Sequence, residues 1–390
     1  MSAVEKDMMR AIHVGVNAHL LSLDEGYRSA GLTWYIYNLL RHLPGADPSI
    51  EYTAFLSERR LRNIPGLRVQ ASRWPTGRPP VRILWEQILQ PWTVRRAKID
   101  LLCSPAYVGP LASNCPFVIT IHDLSFLYYP QSFRALNRTY LRLFTHLSVR
   151  RARRIVAVSE STKRDLIQCY SLSPDKVDVV YNGVDPAFRP LPPGKIAPFR
   201  KEANLPERFM LFVGTLEPRK NVVGLLEAYA RLPKGRPPLM LVGGKGWLYD
   251  EIFARVEALE LTREVHFVGF VAAETLPLWY NAADLFVYPS LYEGFGLPAL
   301  EAMACGTPVI TSTASSLPEV VGDAARLVDP GDADGLAATM AHLLGSREQR
   351  EQMQVAGLAQ ANKFSWERTA IQTTHSFRHA LLPAEGSQGV

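Results

Sequence analysis

Short apolar stretches rich in β-branched residues alternate along the chain with stretches whose apolar residues recur every three or four positions. This alternation is typical of α/β proteins with parallel sheets, because a helix must return the chain to the edge where the next parallel strand begins. The predicted strands are 12–16, 52–56, 101–104, 117–121, 155–158, 177–181, 210–213, 239–242, 265–268, 285–288, 308–310 and 326–328. The predicted helices are 34–43, 220–231, 248–259, 274–281, 297–304, 334–344 and 366–382.

The strand pattern stops once and then starts again. Five prolines lie within residues 186–198, which predicts an extended hinge that belongs to neither core. We therefore predict two Rossmann-like domains, 1–188 and 205–365, joined by a linker at 189–204. The last helix, with about residues 366–390, returns to the first domain, and Ser365 is a good cap for it. Because ligands bind at the carboxyl ends of such strands, two facing domains predict a deep cleft between them.

The composition narrows the class of protein. With 47% hydrophobic and 21% charged residues in 390 positions, the chain is an ordinary globular protein, which excludes disorder. No run of 18 apolar residues predicts a membrane-spanning helix, and the polar His13, Asn17 and His19 interrupt the first apolar stretch, unlike a signal peptide. The four cysteines lack metal-ligand spacing. A reduced, cytoplasmic, soluble protein is the expectation.

Charge is unevenly distributed. Residues 1–190 contain 25 Lys and Arg against 15 Asp and Glu, a net of +10, whereas residues 191–390 contain 18 against 22, a net of −4. Residues 57–98 alone contain ten basic residues against Glu58 and Glu86. An anionic partner is therefore expected for the first domain. No recognition module for nucleic acid accompanies this charge, so we do not expect nucleic acid as the partner.

One basic stretch predicts an amphipathic helix. Seven arginines and no acidic residue lie between Asp123 and Glu160. Basic residues and a histidine recur at intervals of four on one face, namely Arg138, Arg142, His146 and Arg150. An apolar face runs beside them, formed by Leu136, Tyr140, Leu143, Phe144 and Leu147. Such a helix suits an anionic membrane or a polyanionic acceptor. The alternative is a helix that packs its apolar face on the core and leaves its arginines in solvent.

A first candidate site follows the strand at 210–213. Gly214 and Thr215 end the strand, and Arg219 and Lys220 stand at the predicted start of the next helix. A strand-to-helix junction directs free backbone N–H groups and the positive end of the helix dipole toward the cleft. Arg219 offers a bidentate fork and Lys220 a point charge, which together suit a diphosphate. As mere surface residues the two cations would oppose the helix dipole, which favours a ligand.

A second candidate site follows the strand at 285–288. Glu293 stands in a loop with Gly294, Phe295 and Gly296, and Glu301 follows after seven intervening residues in the predicted helix. The two glycines allow backbone amides to approach a ligand closely. Carboxylates on both sides of one helix N-terminus suit two sets of sugar hydroxyls, those of a hexose and those of a ribose.

These segments resemble the retaining nucleotide-sugar glycosyltransferases of the glycogen-synthase-like group (family 4, group 1), which have the GT-B fold, and more narrowly its mannosyltransferase-like members. Glu293 and Glu301 match the Glu-x7-Glu pattern, and residues 120–125, 180–185, 214–221 and 364–366 match other segments in order. The resemblance extends from about residue 12 to 321.

The resemblance implies roles for individual residues. Glu293 contacts the transferred hexose, Glu301 binds the ribose hydroxyls, and Arg219 and Lys220 neutralise the leaving diphosphate. The catalytic candidates are His122, Glu293, Arg219 and Lys220. His122, after a first-domain strand, reaches the hexose as a positioning group. The remaining donor-binding residues are the backbone of Gly31, Gly214, Thr215, Gly294, Phe295, Gly296 and Leu297 and, at the base, Phe270 and Val271.

Two departures from the family pattern affect the donor site. Many members have Gly-Arg where this chain has Gly214-Thr215, so one phosphate-binding arginine is absent and Arg219 is expected to replace it. The first-domain glycine loop has Ser29 and Ala30 before Gly31, which narrows the approach to the diphosphate. The Asp332-Ala333-Asp334 segment resembles a metal motif of another glycosyltransferase architecture, but its position predicts a helix cap. No metal and no cofactor are expected.

The expected activity is retaining transfer of a hexose, mannose from GDP-mannose, to a hydroxyl of a glycan or lipid-linked acceptor in cell-surface polysaccharide assembly. A UDP-sugar donor is the alternative. A sugar-nucleotide epimerase or a phosphorylase of the same fold, and an inactive donor-binding scaffold, are further alternatives. The basic first domain predicts a peripheral contact with the inner face of an anionic membrane.

Overall fold

The computed structural model describes residues 11–23, 31–58, 60–61, 63–72, 74–246 and 248–382, and it contains two parallel sheets that follow one another along the chain. The first sheet has seven strands in the order β3-β2-β1-β4-β5-β6-β7. Its strands are β1 Ile12–Asn17, β2 Ile50–Leu56, β3 Leu67–Ala71, β4 Leu101–Ser104, β5 Phe117–Ile121, β6 Arg154–Ala157 and β7 Val177–Val179. The central strands β4 and β5 are buried along their whole length, as helices on both faces require.

Helices connect these strands on both faces of the sheet. They are α1 Gly31–Ala46, α2 Pro79–Leu84, α3 Gln90–Arg96, α4 Ser125–Tyr128, α5 Ala135–Arg151 and α6 Glu160–Tyr170. A π-helical stretch, Trp85–Leu89, joins α2 to α3 without a break. Helix α6 begins at a regular cap, because the Ser159 side chain accepts a hydrogen bond from the Thr162 amide.

The second sheet has six strands in the order β10-β9-β8-β11-β12-β13. They are β8 Met210–Val213, β9 Leu239–Val242, β10 Val265–Gly269, β11 Leu285–Tyr288, β12 Val309–Ser312 and β13 Arg326–Val328. The helices of this half are α7 Pro193–Glu202, α8 Val222–Ala230, α9 Asp250–Ala258, α10 Leu276–Ala282, α11 Leu297–Ala304, α12 Leu317–Val321, α13 Ala333–Gly345 and α14 Arg347–Ala361. In both sheets every strand pair is parallel, and the strand order reverses direction at the first strand of the half, the topology of a Rossmann-like domain.

The chain returns to the first half at its end. Helix α15, Trp366–Leu381, places Trp366 and Phe377 in the same apolar core as β1 and α1. Where the chain crosses, a Cβ on Gly183 would lie 2.2 Å from the Trp366 amide nitrogen, so only glycine fits. The structure confirms the α/β fold with two Rossmann-like halves.

Two predictions about local structure, those for the linker and for Lys220, were wrong, and one alternative, core packing of the apolar face of α5, differs from the structure. The proline-rich linker was predicted to be extended, but Pro193–Glu202 is helical, because Pro193 stands at the first position, where its missing N–H costs nothing. The apolar face of α5 was considered for core packing, but the helix packs through Thr145, Ser148 and Val149. Lys220 was predicted to begin a helix that instead begins at Val222. None of the helices in the described ranges is both long and apolar enough to cross a membrane.

Candidate functional site

The site is built on the loop between β11 and α11. Strand β11 is entirely buried, and the loop ends at Gly296, whose φ of 101° lies in the left-handed region that favours glycine. Leu297 and Pro298 then form the first turn of α11. Ser316 supports the loop from β12's side, because its hydroxyl donates to the Glu293 and Phe295 carbonyls at 3.0 and 2.9 Å.

The carboxylate of Glu293 is buried and fully engaged. Its Oε1 accepts hydrogen bonds from Lys220 Nζ at 2.6 Å, Ser290 Oγ at 2.6 Å and Tyr288 Oη at 2.8 Å. Its Oε2 accepts from Arg219 Nη1 at 3.2 Å. Burial alone would raise the pKa of Glu293, but the charges of Lys220 and Arg219 outweigh it and lower this pKa to about 2. Glu293 is therefore an anion at every physiological pH.

The two cations reach Glu293 from a tight turn after β8. Residues Pro218–Lys220 form one turn of 3₁₀ helix, and Asn221, with a φ of 55°, separates this turn from α8. Asn221 is anchored by a hydrogen bond from its side-chain amide to the Pro330 carbonyl at 2.8 Å. The separate turn explains why Arg219 and Lys220 are not part of α8, and it directs both side chains toward β11.

The cluster is close to electrical balance. Arg219 forms a second ion pair, Nη2 to Glu217 Oε1 at 2.8 Å, so two cations face two carboxylates. Burial and the neighbouring Arg219 charge lower the pKa of Lys220 below its ordinary value. Burial also acts to lower the pKa of Arg219, but the charges of Glu293 and Glu217 raise it well above the ordinary value. An anion that displaces Glu293 therefore meets two oriented cations.

The first half contributes His122, at the end of β5. Its Nε2 lies 2.8 Å from the Pro105 carbonyl oxygen, and because a carbonyl only accepts, Nε2 carries the proton. Burial lowers the pKa of His122, which favours the neutral ring with an unprotonated Nδ1. Tyr35 fixes the ring by an edge-to-face contact, with centroids 4.6 Å apart.

The glycine loop touches the His122 loop directly. A Cβ on Gly294 would lie 1.6 Å from the His122 carbonyl oxygen, so this position requires glycine. Beside it, Tyr292 Oη accepts from the Leu124 amide at 3.1 Å and donates to Asp165 at 2.7 Å. The two halves therefore meet at the site itself.

Glu301 lies in α11, away from the Glu293 cluster. It accepts a hydrogen bond from Tyr280 Oη at 3.0 Å. Burial raises the pKa of Glu301 to about 7, with the Tyr280 bond acting against this rise. Unlike Glu293, this carboxyl group is poised to change its charge near neutral pH.

A glycine-rich loop after β9 packs directly against the loop after β8, and the sequence analysis missed it. Gly243 has a φ of 146°, and a Cβ there would lie 2.0 Å from the Gly214 carbonyl oxygen. Gly246 packs equally closely on Thr215, with 2.7 Å from its Cβ position to Thr215 Cγ2. The run Gly243, Gly244, Lys245 and Gly246 directly after an apolar strand was the signal for it.

The remaining predicted residues occupy separate places. Phe270, 48% exposed, and half-buried Val271 follow β10, two strands away from β8. The Phe295 side chain is buried beside Tyr181 and Phe364, which leaves its backbone as the part that could contact a ligand. Gly31 is the exposed first residue of α1, and Ser29 and Ala30 lie outside the described residues. Asp332 caps α13 by accepting from the Gly335 amide, which confirms the prediction of a cap.

Comparison with known proteins decides the family. The model for "Glycosyltransferase Family 4" matches residues 29–188, and the model for "Glycosyl transferases group 1" matches residues 195–359. The chain belongs to these family 4, group 1 glycosyltransferases. It is 36% identical over 309 residues to O-antigen chain mannosyltransferase B of Escherichia coli, covering 77% of this chain and 81% of that protein.

Solved structures agree with the GT-B fold of this glycosyltransferase. Sucrose-phosphate synthase from Thermosynechococcus elongatus superposes with a TM-score of 0.75 at 24% identity, over 94% of this chain and 98% of that one. Anabaena Alr3699/HepE in complex with UDP-glucose superposes with a TM-score of 0.72 at 20% identity, over 94% and 99%. The resemblance stated from the motifs is thereby confirmed.

In this glycosyltransferase the predicted residues form one cluster and several separate positions. Arg219, Lys220 and Glu293 lie in direct contact, and Gly294 brings them next to the His122 loop. Sequence reasoning missed Tyr288 and Ser290, the other two partners of Glu293. Tyr288 belongs to a strand buried on both faces, where every residue is apolar in pattern and no periodicity marks a functional side chain.

Proposed function

We propose that this glycosyltransferase moves mannose from GDP-mannose, with retention and without a metal, to a hydroxyl of a glycan or lipid-linked acceptor in cell-surface polysaccharide assembly. The observation that carries the proposal is the buried Arg219, Lys220 and Glu293 cluster beside His122. The likeness to a mannosyltransferase over four fifths of its length supports mannose as the transferred sugar.

The chemistry of sugar transfer fits this cluster. As the bond from the anomeric carbon to the diphosphate breaks, positive charge develops on the sugar and negative charge on the leaving phosphate. Arg219 and Lys220 stabilise the leaving group, which is the largest catalytic contribution expected. Since two side-chain cations already act on the diphosphate, we propose that no metal is required.

The other residues bind the rest of the donor. Glu293 contacts hexose hydroxyls, and the amides of Phe295, Gly296 and Leu297 contact sugar and phosphate oxygens. Glu301 binds the ribose hydroxyls. The backbone of Gly31, Gly214 and Thr215 faces the diphosphate, and Phe270 and Val271 receive the base.

His122 positions the hexose. Because its Nε2–H is donated to Pro105, the free Nδ1 is an acceptor for a sugar hydroxyl. Retention is assigned to attack of the acceptor on the face that the diphosphate leaves, with the leaving phosphate taking the acceptor's proton. The anomeric configuration of the product, measured by NMR, tests this assignment. An α-mannoside formed from GDP-α-mannose supports retention, and a β-mannoside overturns it.

Donor identity is tested first by binding. GDP-mannose should raise the melting temperature of the protein, in the presence and absence of a chelator, because a ligand that binds only the folded state stabilises it. Arg219→Ala should abolish this rise, while Arg347→Ala, an exposed arginine in the same half, should leave it unchanged. A rise that disappears with chelator overturns the metal-free site.

A UDP-sugar is the second candidate donor, because the structure of Anabaena Alr3699/HepE, which has a similar fold, was solved with UDP-glucose. Stabilisation by UDP-glucose but not by GDP-mannose would identify a UDP-sugar as the donor.

If Glu293→Ala leaves transfer unchanged, the catalytic assignment is wrong. If no nucleotide sugar stabilises the protein, the inactive scaffold replaces the enzyme.

The proposal includes a place in the cell. We propose a cytoplasmic protein in peripheral contact with the inner face of the membrane through its arginine-rich first domain, where a lipid-linked acceptor is within reach. The net charge of +10 in residues 1–190 supports an anionic surface as the partner.

A further inference from the structure

Helix α5 exposes its leucines and buries its small polar residues. Its buried residues are Thr145, Ser148 and Val149. Leu136, Leu143 and Leu147, at intervals of seven and four, are 88%, 52% and 40% exposed. A helix that only packs on a core has the opposite arrangement, so this row of leucines has no partner within the described part of the chain.

The helical run from α2 through the π-helical stretch to α3 also exposes a row of apolar side chains. Leu84, Ile88 and Trp92, spaced by four residues, are 48%, 61% and 61% exposed. On its inner side the run buries Glu86 and Gln90, whose side-chain oxygens each accept a hydrogen bond from Asn17 at 3.3 Å. Trp85 and Val94 are buried on the same inner side, so the exposed row is a second apolar face in addition to the one that packs on the core.

The two helical runs are neighbours. Tyr140, between Leu136 and Leu143 on α5, reaches Glu86, between Leu84 and Ile88, with 3.5 Å from its hydroxyl to Oε2. The rows of exposed side chains therefore belong to adjacent elements of the same domain. We call the six residues the apolar double row: Leu84, Ile88, Trp92, Leu136, Leu143 and Leu147.

Arginines accompany the apolar double row. Exposed Arg142 and Arg150 lie on α5, and exposed Arg95 and Arg96 end α3. Acidic residues are missing beside them: α5 contains none, and Glu86 is the only one in residues 79–98 and is buried. An apolar row flanked only by positive charge is complementary to a surface that is anionic outside and apolar beneath.

We propose that the apolar double row inserts into the interfacial layer of an anionic bilayer, with the flanking arginines on lipid headgroups. The inference rests on the proposed peripheral contact and replaces a general electrostatic attraction by a defined surface. A second copy of the chain is a poorer occupant, because a symmetric dimer would place the same arginines against one another. The surface belongs to the domain that contributes His122, which brings the acceptor side of the cleft toward the membrane.

The test is flotation of the full chain with vesicles, without donor. Wild type should bind vesicles of phosphatidylglycerol and phosphatidylcholine and should not bind pure phosphatidylcholine. The double variant Ile88→Ser/Leu143→Ser should bind about tenfold or more weakly, from the lost burial of two side chains. The variant Arg142→Gln/Arg150→Gln should lose part of the preference for anionic vesicles.

Matched controls separate the surface from general effects. Val355→Ser, on α14, removes an apolar side chain that is 71% exposed but lies outside the apolar double row. This variant should bind vesicles as wild type does. Leu136→Ser changes the most exposed leucine of the row, so this substitution should not affect folding. For the other variants, an unchanged melting temperature shows that the fold is intact. Donor-induced stabilisation is measured in parallel and should be the same in all variants.

Three outcomes would overturn the inference. The first is failure of wild type to bind anionic vesicles. The second is undiminished binding by Ile88→Ser/Leu143→Ser. The third is a dimer in light scattering that Leu136→Ser disrupts, which would assign the surface to a second copy. Loss of donor stabilisation with intact vesicle binding would refute the proposed activity and leave this surface in place.

Discussion

Two cations and two carboxylates form one ion-paired group in the second half: Lys220 and Arg219 with Glu293 and Glu217. In the proposed donor complex, phosphate oxygens take the positions around both cations that Glu293 occupies in this structure. We therefore expect a nucleoside diphosphate to compete with Glu293 for Arg219 and Lys220. The same residue is proposed to contact the hexose, so its release by the diphosphate would couple donor binding to placement of the sugar.

This competition predicts opposite effects of one substitution on binding and on transfer. Glu293→Gln should bind GDP several-fold more tightly than wild type, because an anion beside both cations is gone. Its transfer rate should fall by about a hundredfold or more, as for other losses of oriented polar groups at a reaction centre. Calorimetry with GDP and a transfer assay measure the two effects.

Glu264→Gln is the control, since Glu264 pairs with Arg236 on the far side of the same half. It should leave both quantities unchanged. Weaker GDP binding by Glu293→Gln would mean that Glu293 orders the cations rather than competing for them.

Glu301 predicts a pH dependence of donor binding. Its pKa is raised by burial to about 7 in the free protein, and hydrogen bonds from ribose hydroxyls would lower the pKa in the complex. Donor binding then releases a proton from Glu301. Donor affinity should therefore rise as the pH increases toward 7, by at most about tenfold per pH unit, and should be constant above pH 7. Since GDP itself titrates, the quantity to measure is the ratio of wild-type to Glu301→Gln affinity. A ratio independent of pH would refute ribose binding by the Glu301 carboxylate.

The residues of the site could be predicted from the sequence where charged side chains lie in a glycine-containing loop. Glu293, Arg219 and Lys220 are charged residues beside glycines, and such positions are visible in one sequence. Tyr288 and Ser290 were missed because no sequence pattern shows that their hydroxyls face Glu293, or that pairing of β8 with β11 brings Lys220 and Arg219 next to them. The same holds for Tyr292, whose partners Leu124 and Asp165 lie far away in the chain.

At the scale of elements, one helix end joins the two halves. The Glu319 carboxylate, on α12, accepts from the Glu160 and Ser161 amides at 2.8 and 2.9 Å, and from Tyr181 Oη at 3.0 Å. These amides begin α6 and have no partner within the helix, so an anion from the other half caps it.

Glu319→Gln should therefore loosen the contact between the halves. It removes the charge and at least one acceptor, and should lower the free energy of unfolding by about 1 kcal/mol in chemical denaturation. Glu351→Gln breaks an exposed pair with Arg347 and should cost less than about 0.5 kcal/mol. Equal costs for the two variants would show that the Glu319 contact contributes no more than a surface pair.

Elements were predictable where burial imposes a pattern. The predicted strands 101–104, 117–121, 210–213, 239–242 and 285–288 agree with β4, β5, β8, β9 and β11, which are buried throughout. Edge strand β3 was missed because only Leu67 of its five residues is buried. Helix α5 was predicted, but not its orientation, because a leucine row fits a core and a bilayer equally well.

At the scale of the whole molecule, the position of Gly294 sets how closely the halves approach. A Cβ there would lie 1.6 Å from the His122 carbonyl oxygen, which is backbone and cannot rotate away. Gly294→Ala should therefore keep the halves apart. Small-angle X-ray scattering should give a larger radius of gyration than wild type, and transfer should fall by about a hundredfold or more, as expected when reacting groups are displaced by an ångström or more.

The second half should retain its donor site in this variant, because Arg219, Lys220 and Glu301 lie on one side of the cleft. GDP affinity should then change by less than about threefold, well under 1 kcal/mol. Gly194→Ala, on α7, is the matched control, since a Cβ there has open space within 4 Å and should leave both the radius and transfer unchanged. A Gly294→Ala protein with wild-type radius of gyration and activity would contradict this prediction. It would mean that transfer does not require the close contact between Gly294 and His122, and that glycine is needed only for the local backbone conformation of the loop.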